Sequence, residues 1–220
     1  MNPLNNNFLV LLQNIILTMI TTFLKSISYF LHPLLMPWMG AVYYFSLTPV
    51  PYPPLKISLW LLSIIFWSVL VPLILCFILK KINIVHTIDL KTSKERIWPL
   101  LLNSIILGYL SFSVLAETIC IELHFLFLGA LITAITGMIL AILKFKTSIH
   151  MMSTGGAFFF MILVNFHYGY SFSGIFALFI IVMGAMASSR LHLNAHTVKE
   201  LVAGLAIGVA PQLMLLNYWL

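Results

Sequence analysis

Between Lys56 and Lys80, between Glu122 and Lys144, and between Lys146 and Arg190 the chain carries no Asp, Glu, Lys or Arg, and none follows Glu200. Charge-free runs of this length constrain the fold more than any motif, because roughly 20 apolar residues are what a helix needs to cross a bilayer. Charged residues make up only 7% of the 220 positions, far below the roughly 25% of soluble chains. The runs are unbroken and lack the in/out alternation of a transmembrane barrel. The spans are therefore helices, whose backbone groups pair internally. The expected fold is all-α, a polytopic transmembrane helix bundle of six to seven spans forming one integral-membrane domain over residues 1–220.

The spans read as about 28–48, 57–79, 97–115, 122–143, 150–167, 171–187 and 198–218. Residues 8–24 carry Gln13, Asn14 and three threonines, so 1–27 reads as an interfacial or tilted N-terminal helix. A signal peptide is disfavoured, because a basic n-region and a small-residue cleavage site are both missing. The loop Thr48-Pro-Val-Pro-Tyr-Pro-Pro54 cannot be helical, since proline removes a donor and restricts its predecessor.

Counting crossings places Lys25, Lys80, Lys81, Lys91, Lys94, Arg96, Lys144, Lys146, Arg190 and Lys199 on one face, ten of the eleven basic residues, with only Lys56 opposite. The positive-inside rule explains part of this asymmetry and predicts a cytoplasmic face. It does not explain Arg190, set among apolar residues where a lone cation costs about 2.5 to 3.5 kcal/mol. The net charge of +6 rests on these residues, and nothing in the pattern indicates nucleic-acid binding. Cys76 and Cys120 read as buried apolar thiols without metal or disulfide spacing.

Three polar clusters interrupt the apolar sequence. In Ser188-Ser189-Arg190-Leu-His192-Leu-Asn194-Ala-His196-Thr197-Val-Lys199-Glu200, Arg190 and Ser189 can hold phosphate oxygens. Glu200, four residues after His196, can fix its tautomer and make the other ring nitrogen a better nucleophile or base. Thr197 and Glu200 also fit a capping box, so Glu200 is open to either role or both. His192 and His196 invite a metal reading, but a third ligand with suitable spacing is missing; no cofactor is expected.

The second cluster is Lys144-Phe-Lys146-Thr147-Ser148-Ile-His150. Ser148 can cap the following helix, whose N-terminal amides attract an anion, and His150 projects from the first turn. Small residues at 153–157 would admit a neighbouring helix. The third is Asp89-Leu-Lys91-Thr92-Ser93-Lys94-Glu95-Arg96-Ile-Trp98-Pro99. Thr92 and Glu95 again fit a capping box, which leaves Lys91, Lys94 and Arg96 as phosphate clamps.

Three such clusters in this order resemble the type 2 phosphatidic acid phosphatase superfamily, integral-membrane lipid phosphatases related to vanadium haloperoxidases. The family's third signature, Ser-Arg, five residues, His, three residues, Asp, is met by Ser189, Arg190, His196 and, conservatively, Glu200. Its second, Pro-Ser-Gly-His, corresponds to Thr147-Ser148-Ile149-His150, which keeps the Ser and His. Its first, Lys, six residues, Arg-Pro, is loosely echoed by Lys91, Arg96 and Pro99.

The resemblance covers residues 89–218 and implies a six-helix architecture. His196 would attack phosphorus to form a phosphohistidine, and His150 would protonate the leaving alkoxide. Glu200 would orient His196, while Arg190, Ser189, Ser148, Arg96 and one of Lys91 or Lys94 would bind the phosphate, with no metal required. Lys146, in the second cluster, joins these as a phosphate-binding candidate.

The expected partner is a membrane lipid phosphate or diphosphate in the bilayer of the cell (inner) membrane. Phosphatidate, phosphatidylglycerophosphate, polyprenyl diphosphate and lipid A phosphates all fit, and no residue chooses among them. Bacterial relatives usually place the site on the outer side, against the cytoplasmic side that the basic residues indicate. The alternative function is a non-catalytic scaffold, lipid-binding or transport protein of the same fold.

Overall fold

The computed structural model describes residues 3–86, 90, 92–115 and 120–219, with side chains from residue 12 onward. Most of the described residues are helical, with no strand among them. The elements are α1 (Pro3–Phe30), α2 (Met36–Leu47), α3 (Pro54–Lys81), α4 (Ser93–Val114), α5 (Ile121–Ile142), α6 (Ile149–His167), α7 (Ser173–His192) and α8 (Val198–Met214). Seven segments are long and apolar enough to cross a membrane, the first running from Leu12 to Leu47 through α1 and α2.

Local chemistry sets the breaks. His32 caps a short 3₁₀ turn, Pro33–Leu35, by accepting the Leu34 N–H at Nδ1 (3.3 Å), and this turn separates α1 from α2. The Pro-rich loop ends where Pro54 opens α3, a first-turn position at which the missing donor costs nothing. Pro72 would clash with the Ser68 carbonyl and cannot donate to it. The helix answers with a wider π turn over Phe66–Leu70.

Pro211 likewise frees the Ile207 carbonyl, which instead accepts the Thr133 hydroxyl of α5 at 3.3 Å. Neighbouring side chains satisfy broken helices inside a membrane in this way. Lys144 and Asn194 adopt left-handed conformations just past α5 and α7. Their amides and the next ones bond back to Ala141, Leu140, Leu191 and Arg190 carbonyls, so both helices stop sharply at one end of the bundle.

The most buried helix is α6, which packs on α2, α7 and, most extensively, α8. Small residues permit the α6–α8 approach. A Cβ on Gly204 would lie 2.8 Å from the Ser148 carbonyl oxygen, and one on Gly156 would lie 2.9 Å from that of Gly208. The Gly204/Gly208 spacing is thus used within the chain. Away from these seams the surface is apolar, with Leu55, Leu59, Leu62, Phe77, Ile180 and Ile181 all exposed, as suits helices facing lipid. The helix α1 packs on α7, with Ser28 Oγ 2.7 Å from Ser189 Oγ. Its residues Ile16, Met19 and Phe23 are exposed.

Candidate active site

The helix order brings the ends of α3, α5 and α7 and the starts of α4, α6 and α8 to one side of the bundle. Three loops distant in sequence meet there through direct bonds. Arg96, in the first turn of α4, donates from Nε to the Leu90 carbonyl (2.9 Å) and from Nη1 to the Thr147 carbonyl. Lys146 donates from Nζ to the Ala195 carbonyl at 2.9 Å. The Ser148 amide donates to the Glu200 carbonyl at 3.2 Å. These bonds fix the relative positions of the three clusters.

The centre of the site is His196, whose side chain is 5% exposed. Its Nδ1 lies 2.9 Å from Glu200 Oε2 and its Nε2 lies 3.4 Å from Arg96 Nη2. A carboxylate only accepts and a guanidinium only donates, so the ring is neutral with its proton on Nδ1. The Nε2 lone pair is directed toward Arg96. Burial, and then Arg96, push the His196 imidazole down to about 4; the Glu200 hydrogen bond opposes this, and the Lys146 charge adds to it.

Glu200 fills both roles that its position allows. Its Oε2 accepts the Thr197 amide (3.1 Å) while the Thr197 hydroxyl accepts the Glu200 amide (3.4 Å), completing a capping box at the start of α8. The same oxygen holds His196. Ser148 caps α6 in the same manner, accepting the Met151 amide at 3.4 Å.

His150 stands in the first turn of α6, with Arg190 Nη1 at 3.2 and 3.3 Å from its two ring nitrogens. His32 meets it edge to face, the ring centroids 5.9 Å apart. Because His32 Nδ1 is an acceptor from Leu34, its proton is on Nε2. Burial, and then Arg96, push the Lys146 ammonium below its ordinary value; Glu200 raises it and Arg190 lowers it further.

Arg96, Lys146, His150, Arg190, His196 and His32 all line one cavity of about 1060 Å³. Beyond them its walls are apolar, with Leu73, Leu79, Leu100, Leu107 and Leu126 among the lining residues. A cationic mouth on a greasy interior has the shape of an anionic amphiphile. The positive-inside rule accounts for lysines in exposed loops. It does not account for Arg96, which is 4% exposed. Two like charges 4 Å apart repel by about 4 kcal/mol at an effective dielectric of 20, so a buried Arg96 sharing one cavity with the partly buried Arg190 and with Lys146 is an arrangement that an anion would relieve.

The sequence candidates are not all assembled. Ser189 is fully buried; it donates its hydroxyl to the Leu24 carbonyl (2.7 Å) and accepts from Ser28, turned toward α1 rather than the cavity. Ser148 is also fully buried and serves as a cap. Lys94 is exposed and does not line the cavity. Lys91 lies outside the described residues. His192 points away, its Nε2 3.0 Å from the Thr21 hydroxyl, so it is parted from His196. No three His, Cys, Asp or Glu side chains gather as a metal site among the described residues.

Two features went unread in the sequence. His32 had no signal beyond a histidine before a proline. At the far end of the bundle, Glu122 accepts hydrogen bonds from Tyr44 (3.0 Å) and Tyr168 (2.6 Å) and lies 3.8 Å from His167. Only the tertiary fold joins those four residues. Compared with models of known protein families, with curated proteins and with solved structures, the chain matches none.

Proposed function

We propose that this protein is a membrane phosphatase of lipid phosphates or diphosphates, a divergent relative of the type 2 phosphatidic acid phosphatases acting in the cell membrane. The observation that carries this reading is His196, held by Glu200 at Nδ1 (2.9 Å) with Nε2 turned toward Arg96, in a cavity it shares with His150, Arg190 and Lys146. The apolar walls would take the chain of the substrate, and the cations its phosphate.

In this mechanism Nε2 of His196 attacks phosphorus and the P–O bond to the lipid alcohol breaks. His150, protonated once the substrate's negative charge lies beside it, gives its proton to the departing oxygen. The Nδ1 proton stays on His196, and Glu200 balances the charge that develops on its ring. Water then attacks the phosphohistidine and passes a proton to His150; the P–N bond breaks, releasing phosphate and restoring neutral His196. Arg96, Arg190 and Lys146 stabilise the equatorial oxygens, the electrostatic contribution that dominates phosphoryl transfer. Turnover of a panel of lipid phosphates by purified protein, against His196→Ala, tests this.

One observation favours the second reading, a non-catalytic lipid-binding or transport protein. Arg96 and Arg190 each lie against an imidazole, which suits anion capture without chemistry. Binding of the same lipids with no turnover would support it.

A further inference from the structure

The cavity continues well past the cationic mouth. Along α8, Gln212 is twelve positions beyond Glu200, about 18 Å at 1.5 Å per residue, and it lines the same cavity together with Ser68 and Thr133. Gln212 and Ser68 are each 2% exposed. Thr133 is satisfied by the Ile207 carbonyl. The other two are not: Gln212 donates from Nε2 to the Leu126 carbonyl (3.3 Å), but among the described residues its Oε1 has no partner, and neither has Ser68 Oγ. Orphaned oxygens are costly in hydrocarbon, where no bulk water can serve them.

Both side chains are held in place by specific sequence features. The carboxamide of Gln212 lies over Gly129, where an added Cβ would come within 2.8 Å of its Cδ and displace it. Ser68 sits in the π turn that precedes Pro72. A helical serine ordinarily bonds back to the carbonyl four residues earlier, as Ser104 does to Leu100 at 2.8 Å. Ser68 makes no such bond. Interruptions of this kind recur at functional sites.

We infer that the inner end of the cavity is a second binding site, which takes a hydroxyl group carried on the hydrophobic chain of an anionic amphiphile. The hydroxyl donates its proton to Gln212 Oε1, the acceptor that lacks a donor, and its oxygen can accept from the Ser68 hydroxyl. The depth of Gln212 puts this hydroxyl far along the chain and not on the headgroup. The inference rests on the cationic mouth taking the head of the same molecule, but it does not require turnover.

The test is binding of long-chain alkyl phosphonates, whose C–P bond a phosphatase does not cleave, to the purified protein in detergent. An unsubstituted chain is compared with a series in which one hydroxyl is moved along the chain. A preference of about fivefold at one position, the worth of one neutral hydrogen bond, is expected. In Gln212→Leu and in Ser68→Ala the ratio of the two affinities falls toward one. Equal affinities at every hydroxyl position in the wild type would mean that the inner end holds water, and would overturn the inference. A preference that survives both substitutions would overturn it as well. If no phosphonate binds, the assignment of the mouth as a headgroup site falls together with this one. Preferential binding without turnover of any lipid phosphate would keep the inner site and remove the phosphatase.

Discussion

His196 gives its Nδ1 proton to a Glu200 oxygen 2.9 Å away, and that same oxygen accepts the Thr197 amide at 3.1 Å. One carboxylate thus caps α8 and selects the histidine tautomer. The two duties can be separated by substitution. Glutamine also completes a capping box, so Glu200→Gln should leave the melting temperature in detergent within a few degrees of wild type. By removing the charge that orients and balances His196, it should lower kcat by roughly 10²-fold or more. Thr197→Ala should do the reverse, costing about 1 kcal/mol of stability with little change in kcat. Equal losses of stability and turnover in both variants would show that Glu200 is only a cap.

Acidity should act on the site and the fold in linked ways. Burial, and then Arg96, hold His196 down to about 4, although Glu200 opposes them. The folded chain therefore binds fewer protons than the unfolded chain between about pH 4 and pH 6.5. Stability rises with pH across that window and is lost as pH falls through it. The nucleophile remains neutral over the same window. The His196 limb of kcat/KM should accordingly stay flat down to about pH 5, and the melting temperature should fall below pH 6.5, less steeply with vanadate bound. A limb centred near 6.5 would place His196 in a far more solvated site.

The seam between α6 and α8 should tolerate no side chain where α7 tolerates one. A methyl on Gly204 meets the Ser148 carbonyl oxygen at 2.8 Å, against the backbone that caps α6 and carries His150. Around Gly184 a Cβ would find open space. Gly204→Ala should cost about 1 to 3 kcal/mol, read as a lowered melting temperature in detergent, and Gly184→Ala should be neutral or slightly stabilising. Equal effects would mean that the two helices are not in backbone contact.

The fold was largely legible because lipid leaves few options: apolar runs of bilayer length gave the helices, and Pro33 and the Pro49–Pro54 loop gave the first two breaks. The continuous Pro3–Phe30 helix extends through Lys25, a residue that a hydropathy reading treats as a boundary. Legibility of the site was uneven for a physical reason. Spacing along one helix is fixed, so the Glu200–His196 contact followed from a four-residue separation. Which way a hydroxyl turns depends on neighbours distant in sequence. Ser189 is claimed by Ser28 and Leu24 of α1, and His192 by Thr21. His32 could not be paired with His150, because the contact joins the turn after α1 to α6.

Nine basic residues lie at the cavity's end of the bundle among the described residues, against Lys56 at the other, and the positive-inside rule predicts from this a cytoplasmic cavity end. In intact cells an impermeant thiol reagent should label Lys56→Cys, and Lys80→Cys only after permeabilisation, both in a Cys76→Ser, Cys120→Ser background. The opposite pattern would put the site on the outer surface and leave the basic residues to phosphate binding.

The most direct measurement is phosphate release by purified wild-type protein and His196→Ala from a panel of phosphatidate, polyprenyl diphosphate and lipid A phosphates, with and without vanadate and a metal chelator. A phosphohistidine mechanism predicts wild-type turnover of at least one substrate, inhibition by vanadate, indifference to the chelator, and a folded His196→Ala variant without turnover. Turnover that persists in His196→Ala, or a folded wild type inactive on the whole panel, would contradict it.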